Sequence, residues 1–299
     1  MGDIMKKILS LILVLSLCFM VLPAAFAEGS DGCVVVGADL TEDQINQVYQ
    51  VFGIARGSVP ELKVTNAEER AYLVGLVDES VIGHNSISCV YVKLRPEGSG
   101  MDIRTSNITW CTSSMYVNAL STAGITNAQI VVAAPFPVSG TAALTGIYKA
   151  YEYMTGKSIA ENAKQVSTEE LTVTGDLSDL IGSDEATAII SELKLILDET
   201  KKMSDEELRT TIKGIAVQYG VVLDESEMSM IISLCRELEK LDVNGIMERV
   251  NSIQETLGKI SEAKGKVDNF TENTRSFFTK LGAFFEKTGG FFKNLFGKN

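Results

Sequence analysis

Three polar side chains, His84, Ser139 and Thr141, are of the types that could carry nucleophilic chemistry. A hydroxyl becomes a nucleophile when a nearby base removes its proton, and His84 is the only histidine of the chain. The GxSxG pattern of a nucleophile elbow is absent around Ser139, because Pro137 occupies the place of the first glycine. Capping preference favours a helix N-cap role for Ser139 or Thr141, and His84 is predicted to be a loop residue. We therefore predict no catalytic residue.

The segment 127–156 could instead hold a small ligand or an anion, at Ser139, Gly140 and Thr141. An apolar, strand-like run enters a proline-containing turn and then a helix that begins near Gly140. Unpaired N–H groups and the positive end of the helix dipole meet at such a helix start. The segment lacks the lysine of a P-loop and the glycine spacing of a dinucleotide site, so no cofactor is predicted. An ordinary strand–helix connection is the alternative interpretation.

The cysteines predict neither a metal site nor a disulfide scaffold. The chain has five cysteines, without a CxxC pattern or a cluster with histidine, so no metal site is predicted. A single bridge between Cys89 and Cys111 and a set of buried free thiols both remain open. Four cysteines lie beyond residue 27: Cys33, Cys89, Cys111 and Cys235.

The elements that must position these residues are predicted strands that alternate with helices. Thr41 and Thr65 each begin a capping box ahead of a helix. The loop 95–100 contains a proline and two glycines and predicts a hairpin between the strands on either side. The alternation predicts an α/β or α+β domain of layered sheet and helices over residues 33–157. Strands are predicted at 33–37, 61–64, 86–94, 101–110 and in the run that begins at 127.

Beyond residue 157 the pattern changes to amphipathic helices. Ser167, Ser204 and Asp224 each stand three residues ahead of a glutamate, as in a capping box, and predict a helical domain over 158–242. From Ile246 onward the apolar residues step by four and three. This heptad pattern predicts a long amphipathic helix over 243–299 that needs a partner helix, from the same chain or from another copy. The heptad begins with Ile246, Val250, Ile253, Leu257 and Ile260.

The end of that helix carries an aromatic stripe edged by lysines. Pairs of phenylalanines recur every seven residues, so the large apolar side chains fall within one arc of the helix. Such a helix can lie in a lipid headgroup layer with its lysine stems directed outward, or it can pack against protein. We predict contact with a membrane surface or an envelope protein, with self-association as an alternative. The contact residues are Phe277, Phe278, Leu281, Phe284, Phe285, Phe291, Phe292, Leu295 and Phe296, with Lys280 and Lys287.

Residues 1–27 have the pattern of a removable signal peptide. Lys6 and Lys7 precede an apolar run that is too short to span a bilayer, and Ala25 and Ala27 supply the small residues of a cleavage site. We therefore predict an exported protein, either extracellular or associated with the cell envelope. The formal net charge of −12 disfavours nucleic acid as a partner, because its phosphates would be repelled.

Three stretches of the sequence, 37–53, 64–73 and 106–152, resemble the YpuA-like family of secreted bacterial proteins, a domain of unknown function. The similarity covers about residues 34–257, and the phenylalanine-rich tail after residue 259 departs from it. The resemblance implies an envelope protein of Gram-positive-type bacteria and implies no catalytic residues.

The predicted function is a noncatalytic binding or scaffolding module of the cell envelope. The alternatives are an envelope hydrolase near His84, Ser139 and Thr141, and a sensor of a small ligand that uses the strand–turn–helix at 135–146.

Overall fold

The computed structural model describes residues 32–77 and 79–263, with side chains as far as residue 253. It has an α/β part with a five-stranded mixed sheet, followed by helices, which confirms the predicted fold class. The strands are β1 (Gly32–Gly37), β2 (Glu61–Val64), β3 (Cys89–Leu94), β4 (Met101–Ile108) and β5 (Ala128–Val138). The helices of the described residues are α1 (Glu42–Phe52), α2 (Asn66–Leu73), α3 (Glu79–Ile82), α4 (Ser113–Ala123), α5 (Thr141–Thr155), α6 (Glu161–Ile181), α7 (Ser183–Leu195), α8 (Leu197–Thr200), α9 (Asp205–Gln218), α10 (Glu225–Leu238) and α11 (Val243–Ala263).

The sheet is covered by helices on both faces. Its strand order is β2-β1-β3-β5-β4; β1 runs parallel to β2, β4 runs parallel to β5, and β3 is antiparallel to both β1 and β5. Because side chains alternate along a strand, Val34 and Val36 of β1 pack with α1, whereas Val35 packs on the opposite face with α4 and α5. This second face also contacts α6 through Leu171.

The predicted hairpin between β3 and β4 is wrong, because β5 lies between these strands. Leu94 at the end of β3 and Met101 at the start of β4 both pair with Ala128 of β5. Asn127 fills the gap: its carbonyl accepts from the Arg95 N–H at 3.1 Å, and its side-chain oxygen accepts from the Gly100 N–H at 3.0 Å. The connection 95–100 is long enough to cross two strand spacings of about 4.8 Å each. By this insertion the apolar β5 is paired on both sides, with β3 and with β4.

Most helix starts follow the predicted capping boxes. Thr41, Thr65, Ser204 and Asp224 each accept a hydrogen bond from the backbone N–H three residues on, as predicted. The capping box predicted at Ser167 is wrong, since this residue lies inside α6. Ser167 is fully buried, and its hydroxyl donates to the carbonyl of Ala119 of α4 at 2.6 Å. The side chain therefore joins two helices, and the chain continues its helix through this position.

Two apolar clusters form the larger parts of the core. One lies between the sheet and helices α4–α6, and the other lies among α6–α11. The heptad residues Ile246 and Val250 of α11 lie in the second cluster, and Ile253 lies in the first. As far as residue 253, therefore, α11 has its partners within the same chain, mainly α4 and α7. The domain boundary at 157/158 stays a prediction.

All four cysteines of the described residues are buried free thiols: Cys33, Cys89, Cys111 and Cys235. The open alternative of a Cys89–Cys111 bridge is thus not realised. Burial raises the pKa of Cys111 to about 12, which keeps this thiol protonated and unreactive at neutral pH.

Two predicted segments lie outside the described residues: the signal peptide at 1–27 and the aromatic stripe at 277–296. Within the described residues, no helix combines the length and the apolarity needed to span a bilayer.

Candidate functional site

The predicted ligand residues Ser139, Gly140 and Thr141 line a cavity of about 260 Å³. The cavity lies between the N-terminus of α5, helix α2 and the segment 80–88. His84 lines it as well, so the structure brings together the three side chains that the sequence analysis considered for nucleophilic chemistry. It also adds a residue that the sequence analysis did not consider, Glu69 of α2.

The backbone at Gly140 requires glycine. Its φ angle is +99°, and a Cβ atom at this position would lie 2.5 Å from Cγ2 of Ile108. The hydroxyl of Tyr116, which is fully buried, donates to the Gly140 carbonyl at 2.6 Å and holds the turn in place. The sheet and α4 thus fix the start of α5 as one wall of the cavity.

The predicted N-cap role of Ser139 or Thr141 is wrong. Gly140 is the N-cap of α5, and no side chain caps this helix. The Ser139 hydroxyl donates to the carbonyl of Val81 at 3.0 Å, and the Thr141 hydroxyl donates to Oε1 of Glu69 at 2.5 Å. The left-handed backbone of Gly140 turns both hydroxyls away from the helix amides and toward the facing wall.

Glu69 is the charged group of the cavity. Only 1% of the residue is exposed, and its Oε2 atom is buried without a hydrogen-bond partner, although its Oε1 accepts from Thr141. Burial raises the pKa of Glu69 to about 7. The Thr141 hydroxyl, the Asn66 side chain and the nearby charge of Arg70 oppose this rise, because each favours the charged form. Glu69 therefore titrates near neutral pH, and its Oε2 atom makes no hydrogen bond of normal geometry within the protein.

His84 is an exposed loop residue at the rim of the cavity, on the segment that forms the second wall. This segment is held from α2: the side chains of Asn66 and Arg70 each donate to the Gly83 carbonyl at 3.4 Å. Among the hydrogen bonds of the described residues, none joins His84 to Ser139 or to Glu69. The proton of Ser139 is directed at Val81, so a base–nucleophile pair is not assembled.

The cavity also lacks the ligands of a metal site. No group of three or more His, Cys, Asp or Glu side chains that could hold a metal ion occurs in the part of the chain that the structure describes. Glu69 and His84 are the only side chains among the described lining residues that can carry a charge.

Sequence reasoning missed Glu69, although the pattern of α2 contains a signal for it. Glu69 and Leu73 are four positions apart and therefore share one face of the helix, and both are buried. The neighbouring Glu68 is the capping-box residue of the same helix, with its carboxylate on the Thr65 N–H. A carboxylate on the apolar face of a short helix is unusual, because burial of an unpaired charge is costly.

A second buried charged cluster lies between α4, α6 and α7. The Lys194 ammonium donates to Oε1 of Glu170 at 2.8 Å, to Oγ of Ser121 at 2.9 Å and to the Asn118 carbonyl at 2.7 Å. The other oxygen of Glu170 accepts from the Thr122 hydroxyl at 2.5 Å. Neither Lys194 nor Glu170 has any exposed surface. Each charge is satisfied by protein groups, so this cluster joins helices and leaves neither charge without a partner.

Comparisons with known proteins identify the family. Residues 36–269 match the family described as a protein of unknown function, DUF1002. The uncharacterized protein YpuA of Bacillus subtilis (strain 168) is 34% identical over 244 residues, which cover 80% of this chain and 84% of that protein. No solved structure matches the chain significantly. The chain therefore belongs to the YpuA-like family of proteins of unknown function.

Proposed function

We propose that this protein is a noncatalytic binding module of the bacterial cell envelope, which holds a small polar ligand in the cavity at the start of α5. The observation that carries the proposal is the buried carboxyl of Glu69, a residue that lines the cavity and whose Oε2 atom makes no hydrogen bond of normal geometry. Native proteins satisfy nearly all their buried polar atoms, so an exception beside a cavity indicates a group that is completed from outside. The signal-peptide pattern at 1–27 supports export.

The size of the cavity limits the ligand. Sites for drug-sized molecules range from about 300 to 1,000 Å³, and this cavity of about 260 Å³ falls just below that range. Its lining combines apolar residues such as Ile82 and Ile87 with the hydroxyls of Ser139 and Thr141. A ligand of a few heavy atoms, with one polar end, fits this lining.

A thermal-shift screen of the mature chain against small polar molecules tests the proposal. Ligand that binds the folded state raises apparent stability by about 2.7 kcal/mol at a concentration of 100 times Kd. We expect a stabilising molecule whose effect is lost in Glu69→Gln and kept in Glu97→Gln. Glu97 is a matched control, because it is exposed and lies outside the cavity. A wild-type chain that no molecule stabilises, or a ligand that is indifferent to Glu69→Gln, would contradict the proposal.

The C-terminal segment is proposed to bring this module to a membrane surface or to an envelope protein. The proposal rests on the phenylalanine stripe and on the basic character of residues 275–299, which contain five Lys or Arg and one Glu. Co-sedimentation with anionic liposomes checks it: a chain that ends at Thr274 is expected to stay in the supernatant, whereas the full mature chain sediments. Equal sedimentation of both chains would count against a lipid contact of this segment.

A second candidate function, an envelope hydrolase, is favoured by one observation. His84, Ser139 and Glu69 border the same cavity, and a carboxyl with a pKa of about 7 is suited to general-base catalysis. The hydrogen bond from Ser139 to Val81 would have to be exchanged first. Turnover of cell-wall or peptide substrates that disappears in His84→Ala would establish this function. A broad substrate panel without turnover would exclude it in favour of binding.

A further inference from the structure

From the donors and acceptors of the cavity, we infer that its ligand carries a primary ammonium group. The carboxylate of Glu69 is the charge partner of this group, and the hydroxyl oxygens of Ser139 and Thr141 are its acceptors. The inference rests on the proposed function of the cavity as a ligand site and specifies the chemical class of the ligand.

The protons of both hydroxyls are already used within the protein. Ser139 donates its proton to the Val81 carbonyl, and Thr141 donates its proton to Oε1 of Glu69. The contact of 3.3 Å between the two hydroxyl oxygens is the longest of the three, so we assign the two protons to the shorter bonds. A hydroxyl has one donor and two acceptor lone pairs, and the lone pairs of Ser139 and Thr141 thus remain open. The wall thus presents two hydroxyl acceptors beside the buried carboxylate of Glu69.

An ammonium group matches such a wall, because it has three N–H donors and no acceptor. A carboxylate or phosphate would bring further lone pairs against the lone pairs of Ser139, Thr141 and Glu69. The charge of Glu69 is complementary to a cation, and the pair would be charge-assisted.

The start of α5 does not reverse this preference. The helix dipole is equivalent to about half a positive charge at the N-terminus, whereas an ionised Glu69 supplies a full negative charge. Because Thr141 of the first turn is bonded to Glu69, the positive helix end already faces a carboxyl group of the chain itself. This helix end therefore favours the charged form of Glu69, and an ammonium ligand would neutralise that charge.

Three probes with the same carbon chain, namely propylamine, 1-propanol and propionate, test the inference on the full mature chain. Two-dimensional NMR follows the backbone amides of Gly140 and Thr141 during each titration at pH 8. We expect propylamine to shift these signals to saturation, and 1-propanol and propionate to bind about tenfold more weakly or not at all. Glu69→Gln should weaken propylamine by about tenfold or more, and Glu97→Gln should leave its affinity unchanged.

A second variant and a second condition keep the test decisive if Glu69→Gln does not fold. Ser139→Ala removes one acceptor and should weaken propylamine several-fold. For the wild-type chain, binding should weaken as pH falls below about 7, because Glu69 gains a proton while the amine stays charged. Among the described residues, the other groups near the site that can be charged are His84 of the lining and Arg70 of α2, and His84→Ala should keep this pH dependence. Affinity that is unchanged by both Ser139→Ala and pH would overturn the inference.

The outcomes separate this inference from the proposed function. If propionate or 1-propanol binds more tightly than propylamine, the cavity is a ligand site of a different class, and only the inference is wrong. If none of the three probes shifts the signals of the cavity at millimolar concentration, the inference and the proposed function are both contradicted.

Discussion

Two fully buried glutamates of this protein differ in how completely they are bonded. Glu170 accepts from Lys194 through one oxygen and from Thr122 through the other, inside an interface between helices. Glu69 accepts from Thr141 through one oxygen, and its other oxygen is buried without a partner beside a cavity. The difference distinguishes a carboxylate that holds helices together from one that leaves room for a ligand, although both are equally buried.

The difference between Glu69 and Glu170 has a physical cause. A buried charge is tolerated when opposite charge and hydrogen bonds replace the water it has lost. At Glu170 the protein supplies these groups itself. At Glu69 only the hydrogen bond from Thr141 has good geometry. With Asn66 and Arg70 as weaker neighbours, the pKa still rises to about 7, because the neutral form costs less to bury. Three predictions can break or sharpen this contrast.

The largest effect on stability is expected when the ion pair between Lys194 and Glu170 is broken. Lys194→Met leaves the Glu170 carboxylate buried without its cation and should lower the free energy of unfolding by about 3–5 kcal/mol. Urea denaturation of the single variant and of Lys194→Met with Glu170→Gln measures this. The double variant should regain much of the loss, because no unpaired charge remains. If the free energy of unfolding of the single variant falls by less than about 1 kcal/mol, Glu170 does not need its charge partner.

A smaller effect is expected from the pH dependence of Glu69. Its pKa rises from 4.5 to about 7 on folding, so the folded chain holds a proton that the unfolded chain has released. The stabilisation by this proton is fully present below pH 4.5 and is lost as pH rises through about 7. At about 1.4 kcal/mol per pKa unit, the loss approaches roughly 3 kcal/mol.

Glu69→Gln cannot lose a proton and should remove this part of the decline. Urea denaturation at a series of pH values from 4 to 8 should therefore give curves for the wild type and the variant that converge at low pH and separate above pH 7. Burial also raises the pKa of Glu192 to about 7, but that group titrates in both chains and cancels in the difference. Parallel curves would mean that Glu69 has no raised pKa.

The smallest effect on stability is expected when the hydrogen bond from Thr141 to Glu69 is removed. Thr141→Val deletes the donor to Oε1 and should lower the free energy of unfolding by about 1–2 kcal/mol at neutral pH. It should also raise the pKa of Glu69 further, visible as a shift of the pH-dependent decline to higher pH. Thr145→Val, one turn further along α5, is the matched control and should leave the pH dependence unchanged. An unchanged pH profile in Thr141→Val would mean that this bond does not govern Glu69.

Much of the fold could be predicted because it depends on neighbours in the chain. The capping boxes at Thr41, Thr65, Ser204 and Asp224 are satisfied within four residues, so their spacing is sufficient to place the helix starts. Ser167 has the same spacing, yet its hydroxyl bonds to Ala119 across a helical interface. Tertiary packing decided that position.

The candidate site divides in the same way. Residues 139–141 were predicted because a strand that enters a glycine-containing helix start is recognisable in the sequence. The approach of His84 and Glu69 to that start depends on the insertion of β5 between β3 and β4 and on the packing of α2, which are contacts between distant parts of the chain. The hydroxyls of Ser139 and Thr141 act as acceptors toward the cavity because they donate to Val81 and Glu69. These partners are distant in the sequence, so no local pattern predicts them.

By itself, the sequence determined the alternation of strands and helices, the change to helices after residue 157, the local caps and the family. Periodicity and short-range hydrogen bonds are sufficient for these features. Only the tertiary structure decided the order of the strands, the pairing of Glu170 with Lys194 and the isolation of one oxygen of Glu69. Whether a buried charge finds a partner depends on side chains that are distant in the sequence and come together only in the packed fold.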